Sequence, residues 1–297
     1  MIAPEGFRFA LDEATGVATI TLARPDRLNA LTFAIYRELR EVVDQVGDAD
    51  AVRALVLTGE GRAFCSGGDV DDIIGELFAR DMRGLLEFTR TTGALIASLR
   101  RVRKPVVAAV NGTAVGAGAV IAIACDVRVA SEGAKLGFIF PQVGLCGADM
   151  GAGYLLPRIV GLGRASELLF TGDIVGAEEA LRLGLVNRVV PAAECVHAAQ
   201  AFAARLASGP AFAHAMTKQM LESEQGMTLE QAIEAEAQAQ AVCMQHPDFR
   251  AAFDAWTAKR PIRFAGAPRD FDTGTRPPAR LGSPAPARRM DGPGEEG

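Results

Sequence analysis

A twenty-residue apolar run over residues 106–125 constrains the fold of this chain more than any other sequence feature. Its length approaches that of a membrane-spanning helix. However, Pro105 precedes it, Asp126 ends it, and the polar residues Asn111 and Thr113 interrupt it. Its first part is β-branched and its later part is rich in glycine and alanine. The run therefore predicts a buried strand, a glycine turn and a buried helix, and no membrane span.

Strand and helix patterns alternate on both sides of that run. Residues 7–22 alternate in hydrophobicity around a glycine and predict a hairpin. We also predict strands at 54–58, 106–110 and 127–130, one or two helices over 71–101, and helices at 32–46, 117–125, 149–160 and 177–184. This alternation is typical of an α/β fold.

The last third of the chain has a different composition. Residues 193–264 are rich in alanine and have helical spacing up to residue 257. Thr228 and Gln231 predict a capping box that opens a helix over 229–245. We therefore divide the chain into an α/β core at 1–192, a helical oligomerisation region at 193–264, and a tail at 265–297. The tail holds six of the fifteen prolines and is predicted to be disordered.

Composition excludes several classes of function. The formal net charge is −5, and the one dense basic run, residues 100–104, ends a predicted helix, where positive charge offsets the helix dipole. We expect no nucleic-acid partner. The five cysteines are widely spaced, no CxxC pair exists, and the three histidines are isolated, so we predict neither disulfides nor a metal site. The first seven residues lack a signal-peptide pattern, and a cytoplasmic location is expected.

Two turns of small residues, 63–69 and 111–118, each lie between a predicted strand and a predicted helix. Glycine lets the backbone approach a ligand closely, and amides at a helix start have no intrahelical partner. Two such turns facing one carbonyl oxygen would form an oxyanion hole, in which each donor lowers a barrier by about 3 kcal/mol. The alternative is that both turns merely connect strands to helices. Ile121 stands where a dinucleotide-binding loop would have its third glycine.

Several short motifs follow one another in a characteristic order: Ile20–Pro25, Leu28–Leu31, Arg53–Gly59, Ala63–Asp69, Pro105–Gly118, Leu155–Gly161 and Glu178–Val186. With these motifs, the chain up to about residue 264 resembles the crotonase superfamily, the enoyl-CoA hydratase/isomerase family. The resemblance implies a spiral of ββα repeats, a helical C-terminal trimerisation region, and a homotrimer or a dimer of trimers. It also implies an acyl-CoA substrate, with coenzyme A entering as part of that substrate and no separate cofactor.

The resemblance assigns oxyanion donors by position, namely the backbone amides of Gly68 and Ala117. It further implies a coenzyme A site, in which Arg24 and Arg27 would contact the phosphates. The backbone around Ala63 and Ser66 would border the adenine, and Lys259 would reach the coenzyme A of a neighbouring subunit. For Arg24 the alternative is an ordinary surface arginine, and for Lys259 a solvated lysine at a helix end.

The chain departs from the family where hydratases carry two glutamates. Val120 and Phe140 occupy those positions, and no residue from 137 to 143 is a carboxylate. Because neither side chain can transfer a proton, two-glutamate hydration is not expected.

Asp149 is the alternative carboxylate, nine residues before Arg158, a spacing shared with family isomerases and with the aromatic dehalogenase branch. In isomerases of the family that carboxylate moves a proton between two carbons, and in the dehalogenase it attacks an aromatic ring. An apolar pocket would raise its pKa, which suits a base that later acts as an acid. The alternative is that Asp149 caps the helix that follows. Glu87 is either a second acid/base or a surface glutamate.

The combined expectation is an enzyme of the enoyl-CoA hydratase/isomerase type that stabilises a thioester enolate. Isomerisation needs one proton carrier and no bound water, and hydration remains open if Asp149 or Glu87 positions a water molecule. Hydrolytic ring opening of a cyclic acyl-CoA uses the same enolate chemistry. A catalytically inactive coenzyme A-binding protein is the alternative from another class.

Overall fold

A computed structural model describes residues 6–266 of the chain. The strands within this range form two sheets. They are β1 (Phe7–Asp12), β2 (Val17–Leu22), β3 (Ala54–Gly59), β4 (Ala63–Cys65), β5 (Val106–Val110), β6 (Thr113–Val115), β7 (Val127–Ser131), β8 (Lys135–Gly137), β9 (Ile174–Gly176) and β10 (Arg188–Val190).

The larger sheet has the strand order β1-β2-β3-β5-β7-β10, and the smaller one has the order β4-β6-β8-β9. β1 and β2 pair antiparallel, with Phe7 opposite Leu22, which confirms the predicted hairpin. The other pairs of the larger sheet are parallel. β3 and β5 are buried along their whole length, as expected for parallel strands covered on both faces.

Helices cover both sheets and make up most of the chain after β10. They are α1 (Phe33–Asp48), α2 (Gly75–Leu77), α3 (Met82–Arg101), α4 (Ala117–Ala124), α5 (Ala152–Val160), α6 (Leu162–Thr171), α7 (Ala177–Arg182), α8 (Cys195–Ala207), α9 (Ala211–Ser223), α10 (Leu229–Gln245) and α11 (Pro247–Thr257). The apolar run of residues 106–125 forms β5, β6 and the wholly buried α4. Between residues 6 and 266, no helix has the length and apolar character needed to cross a membrane.

Local sequence signals set several helix boundaries. The Thr32 hydroxyl accepts a hydrogen bond from the Ile35 amide and starts α1. Thr228 and Gln231 form the predicted capping box at the start of α10. The segment predicted as one or two helices over 71–101 instead contains a π-helical turn over residues 70–74, then α2 and α3.

The predicted helix start at residue 149 is wrong, because α5 begins at Ala152. Met150 and Gly151 both have positive φ, +51° and +93°, and left-handed backbone cannot continue into a right-handed helix. The residues before α5 therefore form a loop.

The domain boundaries at residues 192 and 264 stay predictions, as does the role of 193–264 in oligomerisation. Apart from residues 265 and 266, the predicted disordered tail lies outside the described residues.

A buried ion cluster fixes α9 to the α/β core. The Lys218 ammonium donates hydrogen bonds to the carbonyls of Leu99 (3.1 Å) and Lys104 (3.2 Å), and to the Asp126 carboxylate (2.8 Å). Arg100 pairs with the same carboxylate at 3.4 Å. Burial lowers the pKa of Lys218, and the charge of Asp126 acts in the opposite direction. The cluster joins α9, the end of α3 and the short link between α4 and β7 that contains Asp126.

We predict that Lys218→Met destabilises the protein by about 2–3 kcal/mol, because it leaves two carbonyls unpaired and removes a cation from a partly buried carboxylate. Chemical denaturation measures this loss. Lys135→Met, at an exposed position of β8, is the matched control and should change stability by less than about 0.5 kcal/mol. Equal effects of the two substitutions would contradict the anchoring role of Lys218.

Candidate active site

Two turns leave the same edge of the smaller sheet and form the centre of the site. β4 and β6 are parallel neighbours, with Ala63 opposite Thr113 and Cys65 opposite Ala114. Because parallel strands end at one edge, the residues after Cys65 and those after Val115 emerge side by side. The structure thus brings together the two small-residue turns that the sequence singled out.

Glycines allow these two turns to touch. A Cβ atom on Gly118 would overlap the carbonyl oxygen of Cys65. A Cβ on Gly67 would lie 3.2 Å from the Val115 carbonyl oxygen and 3.5 Å from the Ala117 amide nitrogen. Gly67 also has a φ of +100°, which other residues rarely adopt. The amide of Ala117 therefore lies directly beside the Gly67 backbone.

The direction of the Gly68 amide follows from its neighbours. The Leu31 amide donates to the Gly67 carbonyl (2.8 Å), and the Asp69 amide donates to the Leu31 carbonyl (2.9 Å). Because the C=O and the N–H of one trans peptide point in opposite directions and the Gly67 carbonyl faces Leu31, the Gly68 N–H points away from Leu31. Ala117 is the first residue of α4, so its amide is one of the four without an intrahelical partner. The convergence of both amides on one oxygen stays a prediction.

Asp69 is a buried carboxylate at the end of the first turn, and it is 3% exposed. Its Oδ1 atom accepts hydrogen bonds from the amides of Asp71 (3.0 Å) and Asp72 (3.3 Å), and its Oδ2 atom pairs with Arg24 at 2.9 Å. Burial acts to raise the pKa of Asp69, but these hydrogen bonds and the charge of Arg24 outweigh it and lower the pKa. Asp69 therefore caps the π-helical turn.

The five residues assigned to coenzyme A binding fall into two regions. Arg24 donates to the Ala30 carbonyl (2.6 Å) as well as to Asp69, so its charge is already paired. Its exposed neighbour Arg27 pairs with Asp71 at 2.7 Å. Ala63 and Ser66 belong to the same loop cluster as Arg24 and Arg27. Lys259 lies apart from them and is exposed after α11. Their contacts with coenzyme A stay predictions.

Asp149 lies half-buried in the loop before α5 and does not cap that helix. The N-cap residue of α5 is Gly151, and no side chain caps this helix. The capping interpretation of Asp149 is therefore wrong. Burial raises the pKa of Asp149, and a hydrogen bond from the Met150 amide opposes this only in part. The loop packs on α3, because a Cβ on Gly151 would lie 3.7 Å from Ile96.

The two family glutamate positions hold buried apolar side chains. Val120 is fully buried within α4, and Phe140 is 9% exposed in a short helical turn after β8. Glu87 does not join Asp149. It lies exposed on α3 in a groove lined by several arginines, while the adjacent Phe88 takes the inward position against Phe33. Glu87 is therefore a surface glutamate in this structure.

Sequence reasoning missed Tyr36, a fully buried phenol on α1. Burial raises the pKa of the Tyr36 phenol well above its ordinary value, and proximity to Cys65 and Asp149 acts in the same direction. Its helical spacing with Leu39 and Val43 could have placed it in the core. Within residues 6–266 there is no group of three or more histidine, cysteine, aspartate or glutamate side chains placed to hold a metal ion.

Comparison with known proteins agrees with this architecture. Residues 12–267 match the family model of enoyl-CoA hydratase/isomerase. The 1,2-epoxyphenylacetyl-CoA isomerase of Escherichia coli K12 is 36% identical over 253 residues, which cover 84% of this chain and 95% of that protein. The short-chain-enoyl-CoA hydratase of Clostridium acetobutylicum is 35% identical over 255 residues, covering 85% and 95%.

Solved structures extend the likeness to the fold. A Streptomyces coelicolor A3(2) protein, provisionally assigned as an enoyl-CoA hydratase, superposes with a TM-score of 0.86 at 48% identity, covering 90% of this chain and 96% of that one. The enoyl-CoA hydratase of Bacillus anthracis superposes with a TM-score of 0.82 at 30% identity, covering 88% and 100%. These matches confirm the predicted crotonase-like α/β fold.

We predict that Gly118→Ala lowers activity at least tenfold and lowers the unfolding temperature, because the added methyl group pushes the Cys65 turn away from α4. Gly93→Ala is the matched control, since a Cβ there meets nothing within 4 Å. In the interior of α3, that change should stabilise the protein by about 0.5–1 kcal/mol. Steady-state kinetics and thermal unfolding test both variants. Wild-type activity in Gly118→Ala would mean that close contact of the turns is dispensable.

Proposed function

The chain belongs to the enoyl-CoA hydratase/isomerase family and is an enzyme of it, and we propose that it moves the carbon–carbon double bond of a 3-enoyl-CoA to give a 2-enoyl-CoA. The observation that carries this proposal is a half-buried carboxylate without a cationic partner among residues 6–266, Asp149, in a site where the two positions matched to the family's glutamates are apolar. Proton transfer between two carbons requires one such group and no bound water.

The proposed electrophile is the pair of amides on Gly68 and Ala117, between which the thioester oxygen would bind. When a proton leaves C2, the electron pair moves onto that oxygen, and the two amides stabilise the negative charge. The N-terminus of α4 adds its positive dipole end at the same place. Two donors of this kind together lower the barrier by about 6 kcal/mol. Such a site needs no metal or redox cofactor.

Asp149 is the proposed proton carrier. Its carboxylate removes the proton from C2, and the resulting dienolate carries the charge over the thioester oxygen and C4. The protonated Asp149 then returns the same proton to C4, so that no hydrogen is gained or lost. A raised pKa supports both steps, because it strengthens the base and keeps the acid form accessible.

Hydration of a 2-enoyl-CoA is the second candidate, because several relatives, including the Clostridium acetobutylicum protein, carry the name of enoyl-CoA hydratases. In that reaction Asp149 would take a proton from water. It would act alone, since Val120 and Phe140 cannot hold the nucleophile. Hydrolytic ring opening of a cyclic acyl-CoA would use the same enolate and differs in requiring a cyclic substrate.

Coenzyme A would bind along the loop cluster that carries Arg24 and Arg27. The exposed Arg27 suits a phosphate group, although Asp71 must share it, and Arg24 acts mainly by holding Asp69. We also propose a homotrimer or dimer of trimers. It is supported by large apolar side chains exposed on or next to the C-terminal helices: Leu221, Met227, Leu229, Ile233, Val242, Met244, Phe249, Phe253 and Trp256. Lys259 would then face a neighbouring subunit.

We expect Asp149→Asn to lower kcat with a 3-enoyl-CoA by at least about a hundredfold, because it removes the proton carrier and conserves the shape. Glu87→Gln is the control and should change kcat by less than twofold. The assay measures turnover of 3-enoyl-CoA and of 2-enoyl-CoA as separate substrates, which distinguishes isomerisation from hydration. Unchanged turnover in Asp149→Asn would remove this residue from the mechanism. Coenzyme A binding without turnover of either substrate or of a cyclic acyl-CoA would identify an inactive binding protein.

The raised pKa of Asp149 also predicts how pH affects the wild type and the variant. The kcat/KM value of the wild type should fall as the pH drops through that raised pKa, because the base becomes protonated. At pH 7, Asp149→Asn should unfold at the same or a higher temperature than the wild type, since it removes a charge that burial disfavours. That advantage should shrink in acid, where wild-type Asp149 is also neutral. Circular dichroism melts at a series of pH values measure it, and a variant that melts lower at pH 7 would contradict a desolvated Asp149.

A further inference from the structure

A continuous groove runs between α9 and α10 in the C-terminal region. It consists of two cavities, of about 290 Å³ and about 460 Å³, which share Ala213, Gln240 and Cys243 in their walls. Four aromatic rings line the smaller cavity, and two of them stack on each other at 4.5 Å: Phe212 and His246, with Phe249 and Phe264 beside them. We call the whole feature the α9–α10 groove, and this part of it the aromatic end.

The other end of the groove is acidic and contains a carboxylate oxygen without a donor. Glu224 and Glu236 line the larger cavity together with apolar side chains, among them Met216, Met220, Leu221 and Ile233. The Oε1 atom of Glu224 is buried, and no group among residues 6–266 donates a hydrogen bond to it. Such an oxygen is unfavourable when it is left unpaired, whereas a guanidinium would satisfy it and offset its charge. The groove therefore fits a ligand that combines apolar surface with an arginine.

The described part of the chain ends at the aromatic end of this groove. Phe264 lines it, and Gly266 is the last described residue. Two hydrogen bonds hold the chain there: the Ala265 amide donates to Asp248 (2.8 Å), and Arg53 donates to the Ala265 carbonyl (3.1 Å). Residues 267–297 follow from this fixed point.

Residues 276–290 of that tail have a chemistry complementary to the groove. They contain four arginines, four prolines and no aspartate or glutamate. Proline-rich segments favour the polyproline II conformation, and aromatic-lined grooves recognise it. Between Phe212 and Glu224 the groove follows α9 for roughly 18 Å, which about six residues of extended chain would span. Arg276 is the tenth residue after Gly266, so the segment can reach both ends.

We propose that residues 276–290 dock in the α9–α10 groove of their own chain, with prolines against the aromatic end and an arginine paired with Glu224. A tethered segment acts at an effective concentration of about millimolar, which favours it over a second copy in dilute solution. A segment without a core of its own can become ordered when it binds. Large apolar side chains outside the groove remain exposed for contacts between subunits: Leu229, Phe253 and Trp256. The inference does not depend on the proposed activity.

The test measures how fast N-ethylmaleimide alkylates Cys243 in the full chain. Cys243 lines both cavities, and the exposed Cys146 outside the groove is the internal reference. Changing all four arginines of residues 276–290 to glutamine should speed alkylation of Cys243 at least about threefold relative to Cys146, since one charge-assisted hydrogen bond changes an equilibrium constant by about tenfold. Neutralising the three acids at 291, 295 and 296 of the same tail is the matched control and should leave both rates unchanged.

A second pair of variants tests the acceptor in the groove. Glu224→Gln keeps the shape of the side chain and removes its charge, so it should also speed alkylation of Cys243. Glu234→Gln, at an exposed position of α10 that does not line the groove, should not. A synthetic peptide with the sequence of residues 275–291, added to the four-glutamine variant, should slow alkylation of Cys243 again.

Three results would overturn the inference. The first is an equal rate of Cys243 alkylation in the wild type and the four-glutamine variant. The second is a peptide that leaves the rate of that variant unchanged. The third is a Cys243 that is protected in both proteins at high concentration and becomes reactive in both on dilution, because a second copy of the chain would then cover the groove.

Discussion

The close backbone contact between the turns after β4 and β6 is the constraint on which the rest of the site depends. Gly118 lies against the Cys65 carbonyl, and Gly112 lies against the Arg62 carbonyl, so closely that neither position has room for a Cβ atom. This contact places the first amide of α4 beside Gly67. The Leu31 bridge fixes the other face of the same segment. The candidate oxyanion donors are thus held by backbone packing, which keeps them in place before any ligand arrives.

Two aspartates illustrate how environment divides the work within this site. Asp69 is more buried than Asp149, yet its pKa is lowered, because two amides and Arg24 satisfy its charge. Asp149 has one backbone hydrogen bond and no cationic partner among residues 6–266, so desolvation prevails and its pKa is raised. The first is suited to holding a turn together. The second is suited to exchanging a proton, which is the property that the proposed isomerisation requires.

The sequence predicted the elements that depend on local pattern. Continuous apolar strands, the hairpin around Gly16, the Thr228 capping box and the two small-residue turns all follow from short-range rules. The start of α5 did not, because Met150 adopts a left-handed conformation that only its loop environment supports. Nor did the orientation of Glu87, since either face of α3 was compatible with helical spacing. Tyr36 was missed because its burial against Phe88 of α3 is a tertiary contact that the pattern of α1 alone does not reveal.

The most direct test of the account is a crystal structure with an unreactive acyl-CoA thioester bound. The distances from the thioester oxygen to the backbone nitrogens of residues 68 and 117 would decide it. We expect both to be about 2.7–3.1 Å, the range of effective oxyanion donors. If the oxygen lies beyond hydrogen-bonding reach of either nitrogen, or if either N–H points elsewhere, the two turns do not form the electrophile and the enolate mechanism is contradicted.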